Sequence, residues 1–338
     1  MAGDDEGDGG SGAGGDGTDT PELFADRYVL RSLAGRGGMA EVWRAEQRGA
    51  AGFHRPVGLK RILPQFAAKE NFVKMFIEEA RVCAQLMHPN IIQIYDFGFE
   101  RGTYFLVMEW VEGINLARFF TAYRERDLTP PWPILTAIAI ESLKALSAAH
   151  ERLDASGAAT PVIHRDVTPA NILIGLNGVV KLSDFGLARA MDRSRLTDPD
   201  VIKGKIAYLS PELTHGAEAS PQSDVYALGV TLWQGLTNQK LFAGDNNAEV
   251  FMAARKADIP RLADLRPDLP GDFTAAIDRA LARDLDARWS TAAEMRATLT
   301  RLLRKSPINP DPKMIARAVV EARETLGLET LSTPMPLR

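Results

Sequence analysis

The chain contains a single cysteine, Cys83, in 338 residues. No internal disulfide can form, which fits a reducing compartment. Long hydrophobic runs are also missing. The purest apolar stretch, Trp132 to Ile140, is far short of a membrane span and stops at Glu141. Residues 1–20 have no lysine or arginine, six acids (Asp4, Asp5, Glu6, Asp8, Asp16, Asp19) and eight glycines. That is the opposite of a signal peptide. With almost no apolar surface to bury, the segment is expected to be a disordered, solubilising tail. The net charge of −4 is therefore uneven, because outside this tail 38 acids face 40 bases. Nothing in that balance implies a nucleic-acid partner. The expectation is a soluble, cytoplasmic chain without membrane association.

Hydrophobic content of 45% and charged content of 25% are ordinary for a globular protein. The length leaves room for two lobes, each with a core. From 21 to 111 the pattern is mostly strand plus one main helix. Short β-like runs extend from Val29 to Lys60, and Arg44 to His54 reads as a turn. Helical periodicity spans Phe72 to Gln85. Ile91 to Tyr95 and Tyr104 to Val111 read as strands around an Arg101-Gly102 turn. From Leu116 helices take over: Ile134–His150, Asp224–Gly235, Glu249–Ala257, Phe273–Leu281 and Thr291–Leu302. A strand-rich lobe (21–111) followed by a helical lobe (112–305) is α+β organisation. Residues 306–338 begin as a proline-marked linker. They continue as a short amphipathic helix, Met314 to Leu326, expected to dock on its own lobe.

The most informative stretch is His164-Arg165-Asp166-Val167-Thr168-Pro169-Ala170-Asn171, with Asp184-Phe185-Gly186 thirteen positions beyond Asn171. Between them, Ile172-Leu173-Ile174 and Val179-Val180-Lys181-Leu182 flank Asn177-Gly178, which predicts a tight β-hairpin. A hairpin brings its ends together, so Asn171 and Asp184 should face one spot. An amide oxygen and a carboxylate there, with Asp166 nearby, suit Mg²⁺ and phosphate chemistry.

Upstream, Gly35-Arg36-Gly37-Gly38-Met39-Ala40-Glu41-Val42 is a glycine-rich turn between strands. Glycines let backbone N–H groups approach phosphates. A dinucleotide-binding fold would need a helix directly after it, and the sequence there reads as a turn. Lys60 ends the apolar strand Val57-Gly58-Leu59-Lys60 and should point under the glycine loop. Its expected partner is Glu79, 19 positions on. Glu78 lies on a different helix face, and Cys83, one turn beyond Glu79, reads as packing.

Together these motifs resemble the protein kinase family over roughly 27–303, in particular bacterial eukaryotic-like Ser/Thr kinases of proteobacterial, myxobacterial-like type. The resemblance implies the bilobal kinase fold and a substrate pair of ATP and a protein Ser/Thr hydroxyl. It implies Mg²⁺ (or Mn²⁺) as cofactor, held by Asn171 and Asp184. Asp166 would accept the hydrogen bond of the incoming hydroxyl. Gly35, Gly37, Gly38, Val42, Gly58, Lys60, Met108 and Leu173 would surround the nucleotide, with the Glu109 carbonyl and Val111 amide pairing with adenine. Arg165 would bind a phosphate on an activation loop from Leu187 to about Lys203, with Ser194 and, preferentially, Thr197 as acceptors. Glu212 would pair with Arg288, and Asp224 would support the catalytic-loop backbone. Self-association for autophosphorylation follows from the same likeness.

Two positions depart from the family pattern. Thr168 stands where Ser/Thr kinases usually carry a lysine, and Lys205 stands where they usually carry a threonine. The reading is an exchange, in which the Lys205 ammonium supplies the charge that position 168 lacks. Gly58 in place of alanine and Ala40 in place of the third loop glycine are smaller departures. The alternative function is a nucleotide-binding pseudokinase or scaffold with weak transfer, favoured only by Thr168. Tyrosine specificity is a third reading, against which the Thr168–Asn171 segment argues.

Overall fold

The computed structural model describes residues 23–185 and 204–328. The first lobe is built on a six-stranded antiparallel sheet in the order β1-β2-β3-β4-β6-β5. Its strands are β1 (Leu23–Phe24), β2 (Tyr28–Arg36), β3 (Ala40–Arg48), β4 (His54–Ile62), β5 (Ile94–Glu100) and β6 (Thr103–Glu109). Strands β3 and β4 pair without a register break, with Val42 opposite Lys60. Strand β4 also pairs with β6, with Gly58 opposite Met108. Alternation along β4 sends Val57 and Leu59 into a core with Phe24, Tyr28 and Phe105. Lys60 is therefore on the opposite face.

Two helices belong to this lobe, the short α1 (Pro64–Ala67) and α2 (Glu70–Ala84). Helix α2 buries Phe72, Met75, Phe76, Glu79, Ala80 and Cys83 on one stripe, as a helix with apolar residues three and four apart must. Glu78 falls off that stripe and pairs with Arg81 at 2.7 Å on the surface.

Two local expectations need correction. Ile91–Tyr95 does not form a strand as a unit. Ile91 makes an isolated parallel bridge to Leu182, and Ile92 N–H donates to the Leu182 carbonyl at 3.0 Å. That segment is committed to the second lobe, and β5 begins only at Ile94. The Arg44–His54 turn is shorter than expected. Arg44 to Arg48 continue β3, and the chain reverses through a 3₁₀ turn at Ala50–Gly52.

The second lobe opens with β7 (Gly113–Asn115), which joins β8 (Ile172–Gly175) and β9 (Val180–Leu182) in a separate three-stranded sheet. Helix α3 (Leu116–Glu125) follows, capped by the Asn115 side chain, which accepts from Arg118 N–H at 2.9 Å. Helix α4 (Trp132–His150) is apolar almost all round because it is packed on nearly every side. Among the described residues it is the one helix long and apolar enough to cross a membrane, yet most of it lies inside the protein. The helix Pro221–Thr237 is similarly buried and begins with a Ser220–Ser223 capping box. Helices Asn247–Lys256, Gly271–Ala280 and Ala292–Arg304 complete the lobe. The last described helix, Pro312–Thr325, is capped by Asp311 and buries Ile315, Ala318, Val319 and Ala322 against the lobe. One core runs through all of these elements.

Candidate active site

The predicted hairpin exists. Ile172 pairs with Leu182, and Ile174 with Val180. Gly178 takes a left-handed φ of 79° in the connecting turn, which a glycine accommodates without cost. Its two ends converge, since Ser183 N–H donates to the Asn171 carbonyl at 2.9 Å. Asn171 and Asp184 therefore flank the same space.

Asn171 spends its amide nitrogen on the catalytic loop. Nδ2 donates to the Asp166 carbonyl at 2.8 Å and to Asp166 Oδ2 at 2.9 Å. This leaves the Asn171 amide oxygen as the atom with ligand character. Among the described residues no cluster of three or more His, Cys, Asp or Glu side chains could hold a metal. A carboxylate at Asp184 and an amide oxygen at Asn171 are hard donors. Such a sparse set suits a cation that keeps waters and substrate phosphates as its other ligands. The donor chemistry therefore fits Mg²⁺.

Lys60 crosses from the first lobe to this point. Its ammonium donates to Glu79 Oε1 at 2.8 Å and to Asp184 Oδ1 at 2.5 Å. Burial opposes the charge on Lys60, but the two carboxylates outweigh it and raise its pKa. Burial pushes the Glu79 carboxyl up, and Asp184 adds to the rise; Lys60 pulls down without cancelling them. Burial also opposes the charge on Asp184, but Lys60 wins and holds it down at about 2, with Lys205 contributing. One cation thus serves two carboxylates, and the more deeply enclosed of them ionises less easily.

Lys205 Nζ donates to Asp166 Oδ2 at 2.6 Å. Its side chain is 38% exposed, whereas that of Asp166 is 6% exposed. Thr168 is buried. Among the described residues no hydrogen bond joins Thr168 to Lys205. Lys205 therefore brings a cation to Asp166 from 37 positions downstream of Thr168.

The catalytic loop is held from below. Asp224, on the helix Pro221–Thr237, accepts from His164 N–H and Arg165 N–H, each at 2.8 Å, and bonds His150 Nε2 at 2.8 Å. Arg165 and Asp184 both take left-handed backbone, with φ of 66° and 62°. Such conformations persist for non-glycine residues where surrounding bonds over-determine them. His164 is fully buried, and burial lowers its pKa. Its Nδ1 accepts from Asp166 N–H at 3.2 Å, so Nε2 carries the proton given to the Ser183 carbonyl at 2.9 Å. Its ring packs at 4.4 Å from that of Phe185. His164 thus orients the loop and has no lone pair left for a base. Cys83 donates to the Phe185 carbonyl, and burial pushes its thiol up, which suits packing rather than redox chemistry.

Arg288 and Glu212 form a two-pronged pair at 2.8 and 3.0 Å. Arg288 is completely buried and also donates to the Ala282 and Gln222 carbonyls. Above the cleft, β2 and β3 meet at the glycine loop, where Gly37 N–H donates to the Ala40 carbonyl at 2.8 Å. A Cβ on Gly35, which lies opposite Val42, would meet no protein atom within 4 Å. Gly58 faces Met108, where a Cβ would stand 3.1 Å from Cγ. Glu109 and Val111 lie at the end of β6 and just beyond it, and Leu173 is on β8, opposite Asn115. Gly186, Ser194 and Thr197 lie outside the described residues.

Several contacts at the site were not foreseen. Lys181 on β9 pairs with Glu109 Oε2 at 2.8 Å, linking the hairpin to the strand that leaves the first lobe. Glu41 of the glycine loop is buried between Arg61 and Arg36; burial opposes its charge, but Trp43 and the two arginines outweigh it and lower its pKa. Alternation along β3 and β4 could have suggested Glu41 and Arg61. No local signal pointed to Lys181.

A strand lobe over a helical lobe, with a buried lysine pinned between a helix carboxylate and a hairpin carboxylate, defines a phosphotransferase of kinase type. The family model described as protein kinase domain matches residues 28–306, and the chain belongs to the protein kinase family. This family uses ATP and a divalent metal and acts on protein substrates. The chain is 37% identical over 265 residues to tyrosine-protein kinase MasK of Myxococcus xanthus, covering 78% of this chain and 41% of that protein. It is 35% identical over 313 residues to serine/threonine-protein kinase PknB of Mycobacterium tuberculosis, covering 90% of this chain and 47% of PknB. It is 33% identical to serine/threonine-protein kinase PrkC of Bacillus subtilis, covering 82% of this chain and 40% of PrkC. The chain thus spans less than half the length of these curated relatives. The PknI kinase domain of Mycobacterium tuberculosis superposes with a TM-score of 0.60 at 26% identity, covering 83% of this chain and 97% of that one.

Proposed function

We propose that the chain is an ATP-dependent protein serine/threonine kinase that transfers the γ-phosphate to Ser or Thr hydroxyls. The observation that carries this reading is the continuous charge network Glu79–Lys60–Asp184 beside Asn171–Asp166–Lys205. Lys60 is placed to orient phosphates under the glycine loop, and Asn171 and Asp184 would hold Mg²⁺. That ion supplies charge neutralisation on the phosphates. Asp166 has one oxygen engaged by Asn171 and Lys205, and its other oxygen accepts the acceptor hydroxyl and holds it in line. Lys205 provides positive charge where charge develops on the transferring group.

The serine/threonine assignment rests on relatives named as serine/threonine kinases. MasK, named as a tyrosine kinase, favours tyrosine as the second reading. Radiolabel transfer from ATP to a generic protein acceptor, with Asp166→Asn as control, tests the activity. Labelling by the wild type alone is expected, and equal labelling by the variant would overturn it. Phosphoamino-acid analysis of the product then separates the two specificities.

We further propose that Arg165 receives a phosphate on Thr197 or Ser194. Full activity in protein that mass spectrometry shows unphosphorylated between 187 and 203 would end that idea. A cytoplasmic location is proposed from the one buried, unpaired thiol.

A further inference from the structure

The helix Pro312–Thr325 lies beyond the segment matched by the family model, which ends at residue 306. It nevertheless packs against the part of the second lobe that carries the floor of the nucleotide cleft. Its N-terminal end meets the hairpin turn. A Cβ on Gly178 would stand 1.8 Å from the Pro312 carbonyl oxygen, so only glycine permits this approach. Its C-terminal end meets the opposite edge of the small sheet, where Arg323 Nη1 donates to the Gly113 carbonyl at 3.0 Å. Gly113 is two positions past Val111 and pairs with Gly175 of β8. There is no slack at this joint, because a Cβ on Gly113 would lie 1.9 Å from the Ile174 carbonyl oxygen. Between these anchors, Ile315 and Val319 are buried at 3% and 0% exposure, and Arg323 itself is 9% exposed.

We propose that this helix is a strap that positions the nucleotide cleft, with Arg323 as the positioning residue. It ties the exit of the interlobe connection to the β8–β9 hairpin. That hairpin carries Leu173, and Asn171 and Asp184 flank it. Among the described residues, no hydrogen bond or ion pair joins the strap to the Lys205–Asp166 pair. Its release therefore loosens nucleotide binding and leaves the transfer step largely as it was. The proposal rests on the reading of the cleft as a nucleotide site.

The test is titration of the 338-residue chain with a fluorescent N-methylanthraniloyl ADP and Mg²⁺, alongside steady-state kinetics. Arg323→Ala is expected to weaken binding and raise KM for ATP by roughly three- to tenfold, the scale of one ordinary lost hydrogen bond transmitted to the cleft. At saturating ATP, kcat should stay within about twofold of wild type. Arg323→Lys, which keeps a donor for the Gly113 carbonyl, should recover part of the affinity. Val319→Asp, which expels the helix, should match Arg323→Ala; if it fails to fold, the Arg323 pair alone decides. A lower Tm with unchanged nucleotide affinity in Arg323→Ala would make the helix merely structural and overturn the strap. A wild-type protein that binds no MgADP would overturn both the strap and the kinase reading.

Discussion

Lys205 Nζ stands 2.6 Å from Asp166 Oδ2, yet it lies 37 positions downstream of Thr168, the position where Ser/Thr kinases usually carry a lysine. A lysine is a point charge on a flexible stem, so it serves the same spot from another anchor. Lys205→Ala should reduce kcat by on the order of 10²-fold, as loss of a transition-state charge contact does. The double variant Thr168→Lys with Lys205→Thr should recover most of that loss. Steady-state kinetics on one protein acceptor checks both, and a silent Lys205→Ala in an active enzyme would refute the exchange.

Glu79 is enclosed with a second carboxylate on the same lysine, and burial pushes it up from 4.5 to about 7. The sign follows from linkage. A group whose folded pKa is raised contributes stability that is present below its unfolded value and lost as pH rises through the folded one. Wild type should therefore lose ground against Glu79→Gln between about pH 5 and pH 8, by several degrees of Tm. Thermal melts of both proteins across that range give the readout. A constant difference would mean that Glu79 titrates normally.

Arg288 has no solvent exposure, and its guanidinium is shared between Glu212 and two carbonyls. Removing one partner leaves the other charge buried and alone. Arg288→Met should cost about 3–5 kcal/mol. Urea unfolding of the purified protein measures it, and a cost under about 1 kcal/mol would show that Glu212 finds water instead.

Gly58→Ala tests the roof of the cleft. The sequence marks Gly58 as a small departure from the usual alanine, and the added methyl would press on the Met108 side chain at 3.1 and 3.3 Å. Methionine is flexible and gives way cheaply. The change should cost less than about 1.5 kcal/mol in stability, and KM for ATP should move by under about threefold. A loss of nucleotide binding would mean that Met108 has nowhere to go.

What could be read from the sequence was local. Asn177-Gly178 announced its hairpin through turn chemistry, and the hairpin alone brought Asn171 to Asp184. Counting helix faces separated Glu79 from Glu78. Tertiary pairings escaped, because spacing says nothing about which distant edges meet. Tyr28 Oη donates to Asp96 Oδ2 across 68 positions, and Arg323 reaches Gly113 across 210. Lys181 reads as an ordinary strand lysine until the register places it on Glu109. Ile91 is apolar enough for a strand, but its bridge to Leu182 claims it first.

Asp224 fastens the backbone of His164 and Arg165 to the centre of the helical lobe, whereas Lys60 and Glu79 travel with the sheet above. Any opening of the lobes on the microsecond-to-millisecond scale would therefore stretch the Lys60–Asp184 contact. Asp166, next to the fastened Arg165, would keep its place. On the proposed function, the protein acceptor would meet a stationary target while the nucleotide would sample a moving one. Breathing of the molecule should then gate nucleotide exchange more than docking of the acceptor.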